Sequence, residues 1–436
     1  MDVLVVGGGT GTNTILPVFA ATSRKVAYVV PISDNGGSTS EILRVLGGPA
    51  IGDARSRLVR LMPEGCLKTL LGYRLAAKED AAHHEWTLIV EGRHSIWGPV
   101  PLHQKHMYRA FLIKVNSEIL LRNRTGNEFR FARASIGNLL LSGARIFFGS
   151  LDSAIEFVAN TAQVDPRFTV LPAMNSNFTH HIAAKLIDGT VMVGQTEISH
   201  PSNDADECPP PTDSIFTSDY EDAMPFNHPS LLGSQITFSK EQCPPLPARV
   251  DRVFYVNPMG VEIKPRPSIR LMGVTSTTQS IVYSVGSLFT SIIPVLLLQG
   301  FAAKIQTMMG PKIVILNGTI DRETTDMDAY QHLEAIIDAN LYSMGINSKL
   351  AKDSCDWTDF ITHVVYPISS QDTNPDSVSM DTRAISNRGI TCIGCALTDA
   401  CLYDLHGLDC AIRAVFQEYD PSTRPPSRLL SVFETP

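Results

Sequence analysis

The fold is decided by the first stretch of the chain, Val3-Leu4-Val5-Val6-Gly7-Gly8-Gly9-Thr10-Gly11. Its four apolar and mostly β-branched residues predict a buried strand of a parallel sheet. The glycine run predicts a sharp turn whose backbone can approach a ligand closely. We expect a helix through Leu16 and Phe19 to follow, and the N–H groups at its start favour an anion over the turn. The stretch therefore predicts a strand, an anion-binding turn and a helix.

A second unit of the same kind follows directly. A strand predicted from Ala27 to Ile32 ends in Ser33-Asp34-Asn35-Gly36-Gly37-Ser38, and a helix is expected through Leu46. Because ligands of open α/β sheets bind outside the carboxyl ends of the strands, the two turns are predicted to lie together at one site. Thr12 interrupts the six-residue dinucleotide fingerprint, and the first turn also lacks the Lys-Ser/Thr ending of a P-loop.

The segment Gly52-Asp53-Ala54-Arg55-Ser56-Arg57 carries two arginines close to these turns in sequence. We expect Asp53 to cap a short helix, which leaves Arg55 or Arg57 able to reach the glycine turns. A guanidinium group can bind two phosphate oxygens at once, so a phosphate contact is one interpretation. The alternative is a solvated helix with ordinary surface arginines.

A third informative segment is Ser135-Ile136-Gly137-Asn138, which predicts a helix through Phe148 with Ser135 as its N-cap. Glycine and asparagine in the first turn destabilise a helix, so a close neighbour is expected there. The amide of Asn138 suits the edge of a base or of another amide. Alternatively, Gly137 only permits close packing of two helices.

Further strands are predicted along the rest of the chain. A hairpin is indicated by strand patterns at 178–187 and 191–198, joined by Asp188-Gly189. The other predicted strands cover 168–171, 252–256, 281–284 and 313–316, and the C-terminal part has apolar stretches at 360–366 and 389–395, of which the second is strand-like. Strand, turn and helix units spread in this way indicate one sheet with insertions. We expect an α/β fold with a mostly parallel sheet, helices on both faces, a β-hairpin and helical insertions.

Two segments are interpreted as interruptions of the core. Residues 63–127 contain two predicted helices around a loose stretch that includes His83 and His84, and we interpret them as a cap over the turns. The histidines of this segment lack the spacing of metal ligands. Residues 199–231 are acidic and rich in proline and serine, which predicts a flexible excursion. We assign 1–320 to the core, and 321–436 to a C-terminal α/β part that completes the same domain.

The composition argues against some classes of binding partner and favours one type of cellular compartment. The net charge of −8 and the pI near 5.8 argue against nucleic acids and anionic membranes as partners. No apolar run has the length of a membrane span. Eight cysteines spread over a long chain favour a reducing compartment. A strand already at the N-terminus argues against a leader peptide. We therefore expect a cytoplasmic protein, and we interpret Cys392 and Cys395 as buried structural residues.

Together these motifs resemble the phospholactate transferase-like family. This family comprises enzymes that make the deazaflavin cofactor F420 and gluconeogenesis-factor proteins of the YvcK type. The matching stretches keep the family's order across most of residues 1–320; they are 7–11, 34–38, 52–55, 135–140, 188–195 and 286–294. The resemblance implies a Rossmann-like core, a homodimer, and a nucleotide-linked ligand over the turns. In the transferases that ligand is phospholactyl guanosine, and in the other branch it is a nucleotide sugar such as UDP-N-acetylglucosamine.

The sequence departs from the family's pattern at two of these motifs. The family's Asp-Asp-Gly-Gly-Ser has Asn35 as its second residue here, and its Gly-Pro-Gly-Ser is Ser284-Val285-Gly286-Ser287. Because Mg²⁺ is generally held by one or two carboxylates plus phosphate oxygens, losing one carboxylate weakens a metal site.

The resemblance and the residues together assign a site. Phosphate would lie across the first glycine turn and be completed by Ser38 and Arg55. Asp34 would hold Mg²⁺ or accept the proton of an acceptor hydroxyl, so Asp34 and Arg55 are the expected catalytic residues. The expected ligand-binding residues are Gly8, Gly9, Thr10, Gly11, Asn35, Gly36, Gly37, Ser38, Asp53, Ser135, Asn138, Gly286 and Ser287.

Three functions remain open on this basis. The first is transfer of a phosphorus-containing group from a nucleotide-diphosphate-linked donor to an acceptor hydroxyl, by in-line displacement. The second is a non-catalytic regulator that binds a UDP-sugar, which Asn35 favours. The third is an NAD-dependent oxidoreductase in which Asp34 binds ribose, although the Gly-Gly-Ser after it suits phosphate better.

Overall fold

The computed structural model describes residues 1–33, 36–123, 128–199, 244–257, 260–346, 351, 354–368 and 378–419. The predicted residues Asp34 and Asn35 lie outside these ranges, as do residues 200–231 of the predicted acidic excursion.

Seven parallel strands form the main sheet of the described chain, and this confirms the predicted parallel sheet. They are β1 (Asp2–Val6), β2 (Lys25–Val30), β3 (Phe168–Pro172), β8 (Ser280–Tyr283), β9 (Lys312–Ile315), β10 (His363–Ile368) and β11 (Thr391–Ala396). Their order is β11-β10-β9-β8-β1-β2-β3. The chain builds outward from β1 on one side through β2, and on the other side through β8. The strand order therefore reverses beside β1, which is where open α/β sheets form a ligand crevice.

A second, antiparallel sheet contains the predicted hairpin. Its strands are β4 (His181–Leu186), β5 (Val191–Val193), β6 (Val250–Val256) and β7 (Glu262–Ile263), in the order β5-β4-β6-β7. The turn between β4 and β5 is confirmed, because the N–H of Gly189 donates to the carbonyl of Leu186 at 3.0 Å. The predicted strand at 191–198 is wrong beyond Val193. Gly194 adopts a positive φ of 102°, which ends the strand and starts helix α10 (Gln195–Ser199).

The described helices cover both faces of the main sheet. Alternate residues of β1 face opposite sides: Leu4 and Val6 join one buried cluster, whereas Val3 and Val5 join another. The remaining helices are α1 (Gly9–Asn13), α2 (Leu16–Thr22), α3 (Ser38–Leu46), α4 (Gly52–Leu61), α5 (Cys66–Gly72), α6 (Glu79–Glu91), α7 (Leu102–Arg122), α8 (Ile136–Phe148), α9 (Leu151–Thr161), α11 (Ile269–Thr277), α12 (Ile293–Leu296), α13 (Phe301–Gln306), α14 (Ala329–Ser343), α15 (Thr382–Ser386) and α16 (Leu405–Glu418). No helix among the described residues is both long enough and apolar enough to span a bilayer.

The segment predicted as an insertion is helical where the sequence suggests a loose stretch. His83 and His84 lie in α6, so that part of the prediction is wrong. The reason is an apolar stripe at helical spacing, formed by the buried residues Ala82, Trp86 and Ile89. Trp86 belongs to the same buried cluster as residues of the central strand β1. The segment thus contributes to the core, and its role as a cap stays a prediction.

Candidate functional site

The turn after β1 and the turn after β8 touch at the carboxyl edge of the sheet. The hydroxyl of Thr12 donates to the carbonyl of Val285 at 3.1 Å. A Cβ atom built on Gly11 would lie 3.1 Å from the same carbonyl oxygen, and one built on Gly8 would lie 2.5 Å from Oγ of Ser291. Glycine in the first turn therefore lets the turn lie close to the segment that follows β8, where a side chain would force its neighbours to shift.

Asp53 acts on this first turn and not on its own helix. The N–H of Gly9, at the start of α1, donates to Oδ1 of Asp53 at 2.8 Å. Helix α4 begins after Ile51 without a side-chain cap, so the predicted capping of α4 by Asp53 is wrong. Unpaired N–H groups at the start of a helix attract a carboxylate. The start of α1 presents such an N–H group within reach of Asp53. One donor of the glycine turn is thus already bonded to a negative charge.

Arg57 supports the glycine turn from inside the protein. Its guanidinium is fully buried, donates from Nη2 to the carbonyl of Gly8 at 2.7 Å, and lies 4.9 Å from the centre of the Tyr28 ring. Burial lowers the pKa of Arg57 to about 10. Its Nε and Nη1 atoms have no hydrogen-bond partner in the described part of the chain. Arg57 is therefore a buried cation under the turn and not an ordinary surface arginine.

Arg55 is connected to two other predicted site residues. Its Nε donates to Oδ1 of Asn138 at 3.1 Å, and the amide nitrogen of Asn138 donates to Oγ of Ser38 at 3.0 Å. Burial lowers the pKa of Arg55 to about 10, so it still carries its charge at neutral pH. The structure thus brings together Arg55, Asn138 and Ser38, which lie far apart in sequence, in one chain of hydrogen bonds.

The start of α8 fits closely against α4 and α5. Ser135 caps α8 as predicted, because its Oγ accepts the N–H of Asn138 at 3.3 Å. A Cβ built on Gly137 would lie 2.3 Å from the carbonyl oxygen of Leu71 and 2.9 Å from Cγ of Arg55. Gly137 therefore permits close packing of two helices, which was the alternative interpretation of this residue from the sequence. Because Gly137 has no side chain, the side chain of Arg55 lies against it and reaches Asn138.

The turn after β8 is held by Asn317, a residue that is absent from the predicted site. The N–H of Gly286 donates to Oδ1 of Asn317 at 2.9 Å, and Nδ2 of Asn317 donates back to the Gly286 carbonyl at 3.0 Å. Asn317 follows β9. A polar residue at the end of a predicted strand is the sequence feature that could have indicated its place in the site. Ser287 follows Gly286 and precedes a π-helical turn, Leu288–Ile292, a conformation that is frequent at functional sites.

A buried carboxylate, Glu323, lies against this π-helical turn. Its oxygens accept the N–H of Phe289 at 3.0 Å, the hydroxyl of Thr290 at 2.6 Å, and the hydroxyl of Ser199. Burial raises the pKa of Glu323 to about 7, and the nearby carboxylate of Asp321 adds to the rise. The sequence carried no signal for this contact, since an acid in a polar turn normally lies in solvent.

The predicted metal site falls outside the described residues, because Asp34 does. Within those residues, no group of three or more His, Cys, Asp or Glu side chains could hold a metal ion. Asp53, the acid on the glycine turn, is already bonded to Gly9. The metal role of Asp34 therefore stays a prediction. Cys392 and Cys395 sit in β11, and burial raises the pKa of both thiols, that of Cys395 to about 11.

A separate cavity of about 590 Å³ lies beyond the end of β3. Its lining includes Asp152, Met174, His180, Arg266 and Arg270. None of the predicted site residues lines it. Within this cavity Arg270 is already paired with Asp152. The cavity is a second location where a ligand could bind, distinct from the glycine turns.

Comparison with known proteins identifies the family. Residues 3–397 match the family model described as 2-phospho-L-lactate transferase CofD. The Saccharomyces cerevisiae protein YNL011C is 39% identical over 405 residues, covering 84% of this chain and 90% of its own. A gluconeogenesis factor of Halalkalibacterium halodurans is 23% identical over 338 residues, covering 77% of this chain and 73% of its own.

A solved structure shares the fold. The crystal structure of a UPF0052 family member from Bacillus halodurans superposes with a TM-score of 0.60 at 20% identity, covering 94% of this chain and 98% of the other. This confirms the α/β architecture of the chain. With the family model matching nearly the whole sequence, the chain belongs to the CofD family, the family of the 2-phospho-L-lactate transferases.

Proposed function

We propose that this protein binds a nucleotide or a nucleotide sugar at the edge of the sheet beside β1. There it transfers a phosphorus-containing group from a nucleotide-diphosphate-linked donor to an acceptor hydroxyl. The observation that carries the proposal is the position of Arg55, which donates to Asn138 and lies on helix α4, the helix whose Asp53 binds the glycine turn at Gly9. Arg55 forms no ion pair within the described residues, so its charge is available for an anion.

The phosphate would share the glycine turn with Asp53. Because this carboxylate is bonded to Gly9, like-charge repulsion moves a phosphate away from Gly9 and towards the guanidinium of Arg55. Ser38, bonded to Asn138, would supply a hydroxyl on the same side. The nucleoside or a second phosphate would contact Ser135, Asn138, Gly286 and Ser287, which border the turns.

In the transfer step, the acceptor oxygen would form a bond to phosphorus as the bond to the leaving nucleotide phosphate breaks. Arg55 would offset the negative charge that develops on the phosphoryl oxygens. Asp34 would have one of two roles, and in the first it takes the proton of the acceptor hydroxyl. In the second, Asp34 and the phosphate oxygens of the ligand would hold Mg²⁺, which would offset further charge when bound.

A second candidate is a non-catalytic regulator that binds a UDP-sugar. Two observations favour it. Asn35 replaces the second acid of the family's pattern, and several relatives of the chain are named gluconeogenesis factors. For either function we propose a cytoplasmic homodimer, following the resemblance.

Thermal unfolding in the presence of nucleotides tests both candidates. The panel is GDP, GTP, UDP, UDP-N-acetylglucosamine and NAD, each with and without Mg²⁺. A ligand at about 100 times its dissociation constant should add about 2.7 kcal/mol to the free energy of unfolding. A metal-dependent shift with a guanosine nucleotide supports the transferase, and a metal-independent shift with the UDP-sugar supports the regulator. No shift with any uridine or guanosine ligand contradicts both.

A further inference from the structure

Arg74 is fixed beside the start of α8 by a short antiparallel pairing of backbones. Arg74 and Ser135 lie opposite each other in an isolated β-bridge. On either side, the N–H of Leu75 donates to the carbonyl of Ala134 and the N–H of Ile136 donates to the carbonyl of Tyr73, both at 3.0 Å. The segment before α6, interpreted from sequence as part of an insertion, therefore places an arginine next to a predicted site residue.

Arg55 also contacts the start of α8. Its side chain passes Gly137, where a Cβ atom would lie 3.0 Å from Cδ of Arg55, and it ends on Asn138. Residues 135–138 thus contact both arginines, Arg74 through the backbone at Ser135 and Arg55 through the side chain of Asn138. The charge of Arg74 lies close enough to act on Arg55, where it adds to burial in lowering the pKa.

No carboxylate pairs with this double positive charge in the described part of the chain. Arg74 donates from Nη1 to the carbonyl of Arg133 at 3.3 Å, and it forms no ion pair with a described residue. Asp53 attracts Arg55, but its Oδ1 atom is bonded to Gly9. Two neighbouring cations repel each other, and an anion between them would remove that repulsion. Arg74 is exposed, so a ligand can reach it.

We infer that Arg74 is a second phosphate-binding residue, and that Arg55 and Arg74 together take the two adjacent phosphates of a diphosphate ligand. The inference rests on the proposed function and makes it more specific. A guanidinium binds phosphate oxygens through paired N–H groups, which suits one arginine to each phosphate. The site would therefore distinguish a nucleoside diphosphate from the corresponding monophosphate.

Titration calorimetry with a nucleoside diphosphate and its monophosphate tests this inference. The probes are GDP with GMP, and UDP with UMP, at one fixed ionic strength. Arg74→Ala should weaken diphosphate binding about tenfold or more, because it removes charge-assisted hydrogen bonds to a phosphate. Monophosphate binding should change by less than about twofold. Arg74→Lys should recover part of the loss, since it keeps the charge but not the paired N–H groups.

Arg93→Ala is the matched control, because Arg93 is an exposed arginine of the same segment that pairs with Glu91. It removes one positive charge and should leave both affinities unchanged. Inorganic pyrophosphate as a competitor shows whether the diphosphate group alone is recognised, and we expect it to displace the nucleotide from the wild type more strongly than from Arg74→Ala.

The outcomes separate the two proposals. If the wild type binds diphosphates and Arg74→Ala binds them equally well, the role of Arg74 is wrong while the proposed function stands. An equal loss for monophosphate and diphosphate overturns the assignment of Arg74 to the second phosphate. If the wild type binds none of the nucleotides, both proposals fail. Unfolding temperatures of the variants, which should match that of the wild type, confirm that each one is folded.

Discussion

At the scale of single residues, buried charges near the turns set the properties of the site. Glu323 holds the π-helical turn through Phe289 and Thr290 and also binds Ser199 at the end of α10. The adjacent Arg322 donates to the carbonyl of Pro244 at 2.7 Å. The pair thus ties the turn after β8 to the antiparallel sheet region, and the protonation state of Glu323 contributes to stability.

Glu323→Gln should change how stability depends on pH. The pKa of Glu323 is raised from 4.5 to about 7 in the folded protein, so the folded state holds a proton that the unfolded state has lost. The wild type should therefore lose stability relative to the variant as pH rises from about 4.5 to about 7, and the difference should be flat above and below this window. Chemical denaturation at several pH values measures it. Glu64→Gln, at an exposed residue, is the control. A flat difference across the window would show that Glu323 is ionised normally.

Arg55→Ala should weaken nucleotide binding by about tenfold or more, since it removes a charged donor to the phosphate. The control is Arg60→Ala, which removes an exposed arginine from the same helix, α4. Calorimetry of both variants gives the comparison. Equal affinities for the two would mean that Arg55 only orients Asn138.

At the scale of elements, the site depends on how closely α8 approaches α5. Gly137→Ala would put a methyl group 2.3 Å from the carbonyl oxygen of Leu71, so the helices must separate. We expect a loss of about 1–3 kcal/mol in the free energy of unfolding, as for other overpacked sites. Chemical denaturation measures the loss, and ligand affinity should fall with it because Arg55 passes the same point.

Gly273→Ala is the matched control in another helix, α11. A Cβ at that position meets no atom within 4 Å, so the substitution should stabilise the protein by up to about 1 kcal/mol. If both substitutions changed the free energy of unfolding in the same direction, close packing at Gly137 would not be the cause of the effect of Gly137→Ala.

The sequence predicted elements well where the signal is local. The strand at 3–6, the hairpin at Asp188-Gly189 and the cap at Ser135 each depend on neighbouring residues, and each was confirmed. The predicted turn at 7–11 is shorter than expected, because residues 9–11 already belong to helix α1 (Gly9–Asn13). The errors at α6 and α10 have local causes that were given too little weight: a helical apolar stripe and the single glycine Gly194. The cap assigned to Asp53 failed because its partner, Gly9, belongs to a different element.

Long-range contacts explain why the rest of the site could not be predicted. Asn317, Glu323 and Arg74 each meet the site through residues far away in sequence. The order of the strands and the packing of the helices bring them there. The pattern of a single sequence does not contain that order beyond the expectation of one parallel sheet. The predicted catalytic and metal role of Asp34 stays a prediction, because the residue lies outside the described ranges.

At the scale of the whole molecule, the two ends of the chain share one sheet and one of its faces. Helix α16 packs against α2, and its buried Leu408 and Ile412 join the same cluster as Phe19. Strands β10 and β11 extend the sheet on the β9 side. The C-terminal part therefore covers a face of the core that the N-terminal part leaves open.

A chain ended after residue 320 should not fold cooperatively, because it lacks the strands and the helix that cover this face. Far-UV circular dichroism during thermal unfolding of the truncated and full-length chains tests the prediction. We expect one sharp transition for the full chain and none for the truncated one. A sharp transition in the truncated chain would show that residues 321–436 form a separate unit.

The most direct test of the central claim is a crystal structure of the protein with GDP and, in a second crystal, with UDP-N-acetylglucosamine. We predict that the diphosphate of at least one ligand lies on the turn 8–11 within hydrogen-bond distance of Arg55, with Arg74 next to it. A diphosphate bound in the cavity between Asp152 and Arg270, with the glycine turn unoccupied, would contradict the assignment of the site.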